Sequence, residues 1–553
     1  MSESIRCTAL PDHWFDRRHY RPRVHDGDGE IWFVDSEAVH PLRKVPGPPA
    51  RGEGSPRDLA VPRAKRREAL LETYARWQLP LAAAVERNIQ ALGDEDTCVV
   101  VTGQQPGFLT GPLYTIYKAL SAIALADKLS ETWQRRCVPV FWVAGEDHDI
   151  DEIRQARFPG PDGEEVVFGL PHPTGRRPLS SLPVDRATEG VLDDVARHLA
   201  AHRFGEEARA LIDLYRGRNL ASGFAAILAE LFGERGLVVL DPERLRPLAA
   251  PVFRRVLEDP AQVMERVREG CRLVEQHGID PFVPPRFPLF VVREGSRDHV
   301  TWNGGGRLQI DGGGPLLDQA ATIARLHSAP HEFSSAALLR PLVQEAILPG
   351  AVTIGGPAEV GYFAQLPPLS RWLGVDVPRI ALRFQATLLE AKAARAWNRL
   401  GLDVDRFATA ASPEDLVTVL ADDAGGLLSE AKALEARARE LQARLQADST
   451  LDEAARKRID SGAMKTLGAT GRLVERVDRE LRRSEKEAFG RATTLWNHVV
   501  PGGVLQERRW NVFHYISRYG TRWLGELLAQ VKASLFTHRH FVVFFEAEGD
   551  DKP

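Results

Sequence analysis

The hydrophobic positions change period several times along the chain, and each change marks an element. Leu70, Leu71, Tyr74, Trp77, Leu81 and Val85 recur near helical spacing and predict a helix over 64–92. A short unbroken apolar run, Cys98 to Thr102, predicts a buried strand. A loop framed by glycine and proline follows, and then an amphipathic helix from Pro112 to Leu129. "RCVPVFWVAGEDHDIDE" reads as a second buried strand that ends in an acidic loop. Strand, helix, strand is a βαβ unit, and it argues for a parallel sheet. Further strands are predicted at 236–242, 288–294 and 351–357, and "HVTWNGGGRLQIDGGG" reads as a hairpin with a glycine-rich turn. Residues 1–385 therefore read as an α/β core with insertions, with a Pro-, Gly- and Arg-rich loop at 41–63.

The pattern then shifts. Residues 423–490 contain no proline and are dense in Ala, Leu, Glu and Arg. Leu427, Ala431, Leu434, Ala438, Leu441 and Leu445 step by 4, 3, 4, 3 and 4, while Leu467, Val474, Leu481 and Ala488 repeat every seven. Each is a coiled-coil seam. "QADSTLDE" between them can turn the chain into an antiparallel helical hairpin; one long broken helix is the alternative. The helical domain is placed at 386–495. Residues 496–553 regain Pro, Gly and aromatics, end in the apolar strand "HFVVFFE", and are expected to pack back on the core.

Composition narrows the class. A chain of 553 residues predicts two to four domains. Apolar content of 43% and charged content of 27% fit a soluble globular protein. The net charge of -4 gives no global argument for nucleic acid or an acidic membrane. Cys7, Cys98, Cys137 and Cys271 are far apart and form no CxxC pair, so buried thiols in a reducing cytosol are expected rather than a zinc ribbon or disulfides. No run of about 18 apolar residues and no N-terminal apolar segment predicts a spanning helix or a signal peptide.

Three stretches carry candidate chemistry. In "VTGQQPGFLTGPLYTIYKAL", Gly103, Gly107 and Gly111 allow tight turns, and Gln104 and Gln105 offer uncharged donors and acceptors. Pro112 suits a first helical position, with Thr110 or Gly111 at the cap, so the helix would open as an anion site. Lys118, on the face of Tyr114, could reach back to that anion. A plain structural turn is the other reading; the loop matches neither GxxxxGK[ST] nor GxGxxG. In "GEDHDIDE", Glu146, Asp147, His148, Asp149, Asp151 and Glu152 sit at a strand's carboxyl end, where parallel sheets hold ligands. They could bind magnesium, supply a His general base, or hydrogen-bond substrate hydroxyls and amines. A solvated acidic loop capping the next element is the bland alternative. In "LLRPLVQEAILPGAVTIGGPAEVGYFAQL", Arg340 and Gln344 share a helix face, and Gly356, Pro357, Glu359 and Tyr362 repeat the strand, glycine turn, helix sequence. No zinc-ligand spacing occurs.

These three stretches, with the late "GGVLQERRWNVFHYISRYG", together resemble the cysteine ligase family of bacillithiol biosynthesis. The likeness runs from about residue 95 to the end. It implies a Rossmann-like parallel-sheet core with connecting-peptide insertions and an α-helical antiparallel coiled-coil domain that supports a homodimer. It also implies an activity, joining L-cysteine to the amino group of a glucosaminyl-malate to form bacillithiol. The site residues it implies are Thr102, Gly103, Gln104, Gln105, Gly111, Tyr114, Lys118, Glu146, Asp147, His148, Asp149, Arg340, Gln344, Gly356, Pro357, Glu359 and Tyr362. Lys118 would stabilise phosphate charge, Asp147 and Asp149 would hold magnesium or ammonium groups, and His148 would take the amine's proton. ATP and magnesium are compatible with that chemistry but are not required by any motif. The rival readings are a nucleotide-sugar or glycosyl-transfer enzyme, and a non-catalytic scaffold assembled through the hairpin.

Overall fold

A computed structural model describes residues 5–9, 44–47 and 61–545, apart from 95, 161–163, 173–176, 294, 304–306, 312–315, 349, 404–406, 408–409, 411, 448–451 and 538–539. Most of the 41–63 loop, the glycines expected to turn the 299–314 hairpin, and the centre of "QADSTLDE" lie outside the described residues. Two compact units form. One runs to Thr387 and takes in Val504–Val543; the other holds Leu388–Gly503 and the residues from Phe544.

The first unit is organised by a parallel sheet. Its early members are β1 (Cys98–Gln104), helix α1 (Tyr114–Trp133), β2 (Cys137–Val143) and the short β3 (Val238–Leu240). An insertion follows, with β4 (Leu289–Arg293), β5 (Ser296–Trp302), β6 (Leu308–Ile310), β7 (Leu316–Leu317) and β8 (Phe333–Ser335). They make a separate five-stranded sheet in the order β7-β6-β5-β4-β8, antiparallel throughout. The chain then returns through α2 (Arg340–Ile347), β9 (Gly350–Gly355), α3 (Pro357–Phe363) and β10 (Ile380–Leu382).

The parallel sheet has the order β10-β9-β1-β2-β3. Its central strands are buried on both faces, which is why they read as unbroken apolar runs. From β1 the chain builds outward to β2 and β3, then crosses to the other side of β1 for β9 and β10. The reversal between β1 and β9 is a topological switch point, the place where such sheets open a crevice at their carboxyl ends. Cys98 and Cys137 pair in register across β1 and β2 as buried free thiols, and Cys271 is buried and free as well.

Four sequence expectations shift in detail. The 64–92 helix is two helices, Arg63–Trp77 and Ala83–Ala91. Gln78 is left-handed and Pro80 has no N–H to continue a ladder. The strand predicted at 236–242 shortens because Asp241 caps a helical turn that begins at Pro242. Helix α1 starts at Tyr114, two residues after Pro112, with no side-chain cap. Leu109, Thr110 and Gly111 all have positive φ, so the chain cannot become helical before that point.

The fourth shift concerns the hairpin in the second unit. Its helices, α4 (Pro413–Ala447) and α5 (Glu453–Val499), run antiparallel: Gln442 and Gln446 both donate to Asp460, and Glu435 lies beside Gly471. The predicted α4 stripe is displaced by one residue at alternate steps. Leu427, Leu434 and Leu441 are 61%, 52% and 56% exposed. The positions turned inward are Leu428, Ala431, Glu435, Ala438, Gln442 and Leu445. Two of these are polar, which hid the register. On α5, Leu467, Val474 and Leu481 are half-buried and Ala488 is buried, at the expected spacing.

The segment 504–543 closes the first unit. Asn511 is buried; its side-chain amide donates to the carbonyls of Leu109 (2.9 Å) and Gly111 (3.0 Å), and its carbonyl accepts from the Phe513 N–H. The Leu113 N–H donates to the Trp510 carbonyl, and Pro112 bridges Asn511. The left-handed turn before α1 is thus held by a residue some 400 positions later. Asn511→Ala is expected to cost about 2 kcal/mol, since it leaves buried carbonyls without donors. An unchanged urea-unfolding midpoint would count against this anchoring role.

Candidate active site

A cavity of about 620 Å³ opens at the carboxyl ends of β1, β2 and β9. Gly103, Gln104 and Gln105 enter it from the end of β1. Gly103 is required there by contact: a Cβ would sit 2.9 Å from the Trp142 carbonyl on β2. Tyr114 and Lys118 come from α1, and Glu146, Asp147, His148 and Glu152 from the loop after β2. Arg340 lies at the start of α2, and Gly356, Glu359 and Tyr362 line the turn and helix after β9. Of the residues predicted from sequence, Thr102, Gly111, Asp149, Gln344 and Pro357 do not line it. Thr102 donates from its hydroxyl to the Ile354 carbonyl and ties β1 to β9; Gln344 donates to Thr353.

Lys118 is buried at the floor. An ammonium has three protons. Here they meet the Gly103 carbonyl (2.8 Å), Gln104 Oε1 (3.0 Å) and Glu359 Oε2 (2.5 Å). All three donors are engaged within the chain, and the anion that Lys118 reaches here is the Glu359 carboxylate. The lysine thereby joins the β1 loop to the β9 turn across the switch point. Glu359 also accepts from the Gly356 N–H and stands 4.0 Å from Arg340. Burial raises the Glu359 carboxyl, but Lys118 and Arg340 outweigh it and hold it below the usual range. Burial pulls Lys118 down by more than Glu359 lifts it.

The predicted anion site at the start of α1 is likewise filled from within. The Leu113 N–H goes to Trp510, and those of Thr115, Ile116 and Tyr117 turn back to Pro112 and Leu113. The second half of the loop is therefore a structural turn, and only its first half, Gly103 to Gln105, faces the cavity.

On the β2 side, Asp147 is held by three donors. Gln105 Nε2 lies 2.7 Å from Oδ2, the His148 N–H 2.7 Å from Oδ1, and Arg297 3.5 Å from Oδ1. Burial would raise this carboxyl, but Arg297, Gln105 and the His148 N–H keep it below the usual range. Arg297 arrives on β5, stacks 3.8 Å over the Phe290 ring and bonds Ser334 and the Ser335 carbonyl. His148 packs edge-on against Phe290. Glu146 is buried against Arg246 (3.1 Å) and the Ser334 hydroxyl.

On the β9 side stand Arg340, which donates to the Tyr362 hydroxyl, and Arg383, which pairs with the buried Glu507 at 2.7 Å. Arg383 lies 5.5 Å from the Tyr114 ring centre, and Arg508 also lines the cavity and acts on Tyr114. Tyr114 accepts from Gln104 (3.3 Å) and keeps its own proton to donate. Burial pushes both Tyr114 and Tyr362 up to about 12, so both stay protonated near neutrality.

Glu152 of the acidic loop lines the cavity as well, and so do Phe290, Arg297, Ser335, Arg383 and Arg508, which were not singled out from sequence. Glu152 lay in plain view at the end of the acidic loop. Arg297 carries no local signal; it acts on Asp147 from 150 positions away. Among the described residues, no three His, Cys, Asp or Glu side chains are placed to hold a metal ion. At the α1 terminus the N–H groups of Leu113, Thr115, Ile116 and Tyr117 are taken up within the chain.

With this geometry in hand, comparison with known proteins gives the family. Residues 55–384 match the family described as bacillithiol biosynthesis BshC, N-terminal Rossmann-like domain, and residues 386–545 match its C-terminal coiled-coil domain. The chain belongs to the BshC family. Relatives titled "Putative cysteine ligase BshC" come from Salinibacter ruber (31% identical, covering 85% of this chain and 87% of the relative), Chloroherpeton thalassium (30%, 82% and 84%) and Geobacillus kaustophilus (29%, 84% and 88%). The Rossmann-like match spans the parallel sheet and its insertion, and the coiled-coil match spans the hairpin. Among the described residues no helix is long and apolar enough to cross a membrane.

The Lys118–Glu359 pair sets a pH signature. A depressed carboxyl contributes stability above its unfolded value, about 4.3, and loses it as pH falls through its lower folded value. Glu359→Gln is expected to cost about 2 kcal/mol at neutral pH, because it leaves the lysine's buried charge uncompensated. The gap to the parent should close below about pH 4. Chemical unfolding of both proteins across that range checks it; a gap that stays constant with pH would contradict the pairing.

Proposed function

We propose that the protein joins the carboxyl group of L-cysteine to the amino group of a glucosaminyl-malate, forming an amide and yielding bacillithiol. One observation carries the reading: apart from the internally paired Glu359 and Arg297, the cavity's cations and anions come from different elements. Arg340 comes from α2, Arg383 from the segment after β10 and Arg508 from the C-terminal segment, while Asp147, His148 and Glu152 come from the loop after β2. A substrate with malate carboxylates at one end and an ammonium at the other matches that polarity. Gln104, Gln105 and Tyr114 between them suit sugar hydroxyls. The printed names of the relatives, which speak of a cysteine ligase, support the same chemistry.

The chain's residues would position and exchange protons. The arginines hold carboxylates, bidentate where geometry allows. The acidic side draws in the ammonium, and Asp147, kept ionised by Arg297, fixes its direction. Any amide synthesis also needs the acyl oxygen activated as a better leaving group. The N–H groups at the start of α1 are taken up within the chain, and no step is assigned to a nucleotide phosphate or to magnesium.

The protein is further proposed to act as a homodimer through its hairpin. Leu427, Leu434 and Leu441 recur every seven residues on one exposed face of α4, and such a stripe calls for a partner surface.

Two experiments test these readings. Purified protein is incubated with glucosaminyl-malate, cysteine, ATP and magnesium, each omitted in turn, and products are weighed by mass spectrometry. The expected product carries the mass of both substrates less water and vanishes without cysteine. A product that forms without cysteine would favour sugar transfer and overturn the proposal. For the dimer, Leu434→Glu with Leu441→Glu should sediment as a folded monomer. A parent protein already monomeric at micromolar concentration would refute it.

A further inference from the structure

Four carboxylates line the cavity: Glu146, Asp147, Glu152 and Glu359. Three are committed to a cation. Glu146 is paired with Arg246, Asp147 with Arg297, and Glu359 with Lys118. The pairing holds Asp147 and Glu359 below the usual carboxylate range, which makes them poor proton acceptors. Among the described residues, no lysine or arginine forms an ion pair with Glu152. Its interacting neighbours are the carboxylates of Asp149 and Asp147 and the amide of Gln105. It is also exposed to solvent at the cavity wall, where an incoming substrate meets it first and a proton can later leave.

We infer that Glu152 is the catalytic base that takes the proton from the substrate's ammonium group, an inference that rests on the amide-ligase reading above. The step balances simply. An N–H bond of the ammonium breaks, an O–H bond forms on the Glu152 carboxylate, and the freed nitrogen lone pair can attack an activated acyl carbon. Glu152 then returns the proton to solvent.

The surroundings suit this role. Burial, Asp149 and Asp147 all raise the Glu152 carboxyl above its usual value, with Gln105 opposing them. A raised carboxyl binds a proton more readily and moves toward the working pH of a general base. Gln105 donates to Asp147 as well, so one amide spaces the two carboxylates. The groups acting on Glu152 are Asp147 and Asp149 from its own loop and Gln105 from the β1 loop, and Glu152 in turn acts on Tyr114 of α1. Arg383 and Arg508 approach across the cavity, and both act on Tyr114 together with Glu152. His148 is the competing base. Its ring packs against Phe290 and its Nδ1 lies 3.7 Å from Asp147, so it is directed into the Asp147–Arg297 group.

The test measures amide formation against pH for the parent, Glu152→Gln, Glu152→Asp and His148→Gln. Glu152→Gln is expected to lose on the order of 10²- to 10³-fold in kcat, with KM for the amine changing less than about tenfold. The break that Glu152 sets in the acid limb of kcat/KM should vanish. The variant's residual rate should instead climb about tenfold per pH unit while the substrate amine remains mostly protonated. Glu152→Asp should restore part of kcat, and His148→Gln should keep the parent's acid limb. If Glu152→Gln keeps the parent's kcat and acid limb, or if His148→Gln alone removes that limb, the assignment is overturned. A parent that makes no amide from cysteine and glucosaminyl-malate defeats the ligase reading itself, and this inference with it. An active parent beside an unaffected Glu152→Gln defeats the inference alone.

Discussion

A buried ammonium must find an acceptor for each of its three protons, and at Lys118 that requirement organises the cleft. The side chain is 4% exposed, and its partners belong to two different loops. Gly103 and Gln104 end β1, and Glu359 opens the helix after β9. Those strands are neighbours at the point where the sheet's order reverses. Without the bridge, the two loops that face each other there have little reason to keep one separation. With it, Gln104 is turned toward Tyr114, and Glu359 is fixed between the lysine, Arg340 and the Gly356 N–H.

The consequences spread by charge. Lys118 and Glu359 satisfy each other, so the cavity's free polarity comes from groups further out. Arg340, Arg383 and Arg508 supply the cations, and the β2 loop, fixed by Arg297, supplies the anions. Arg297 lies on the inserted antiparallel sheet, and Asn511 and Glu507 lie on the returning C-terminal segment. The Rossmann-like sheet thus supplies the floor, while the insertion and the chain's end supply the walls.

Much of this could be read in the sequence, and the limits have physical causes. β1, β2 and β9 were legible because strands buried in a parallel sheet are apolar runs bounded by glycine. The three loops that meet at the cleft were legible because strand ends carry ligands in parallel sheets. The acceptors of Lys118 were not legible because they include a backbone carbonyl and a residue 241 positions away, neither visible in a motif. The turn before α1 was misread because Asn511, near the chain's end, takes the place of a local cap. Arg297 and Arg383 were missed for the same reason: their partners, Asp147 and Glu507, are remote in sequence. The hairpin's seam slipped by one residue because Leu427, Leu434 and Leu441 offered a more apolar stripe than the true one, which contains Glu435 and Gln442.

The central claim is that the cleft reads its substrate by polarity, with carboxylates on the arginine side and the amine on the acidic side. A crystal structure of the protein with glucosaminyl-malate tests it most directly. The account predicts the malate carboxylates within hydrogen-bonding distance of Arg340, Arg383 or Arg508, and the amino nitrogen beside Glu152 and Asp147. The reverse orientation, or a substrate bound away from the Lys118–Glu359 floor, would contradict it.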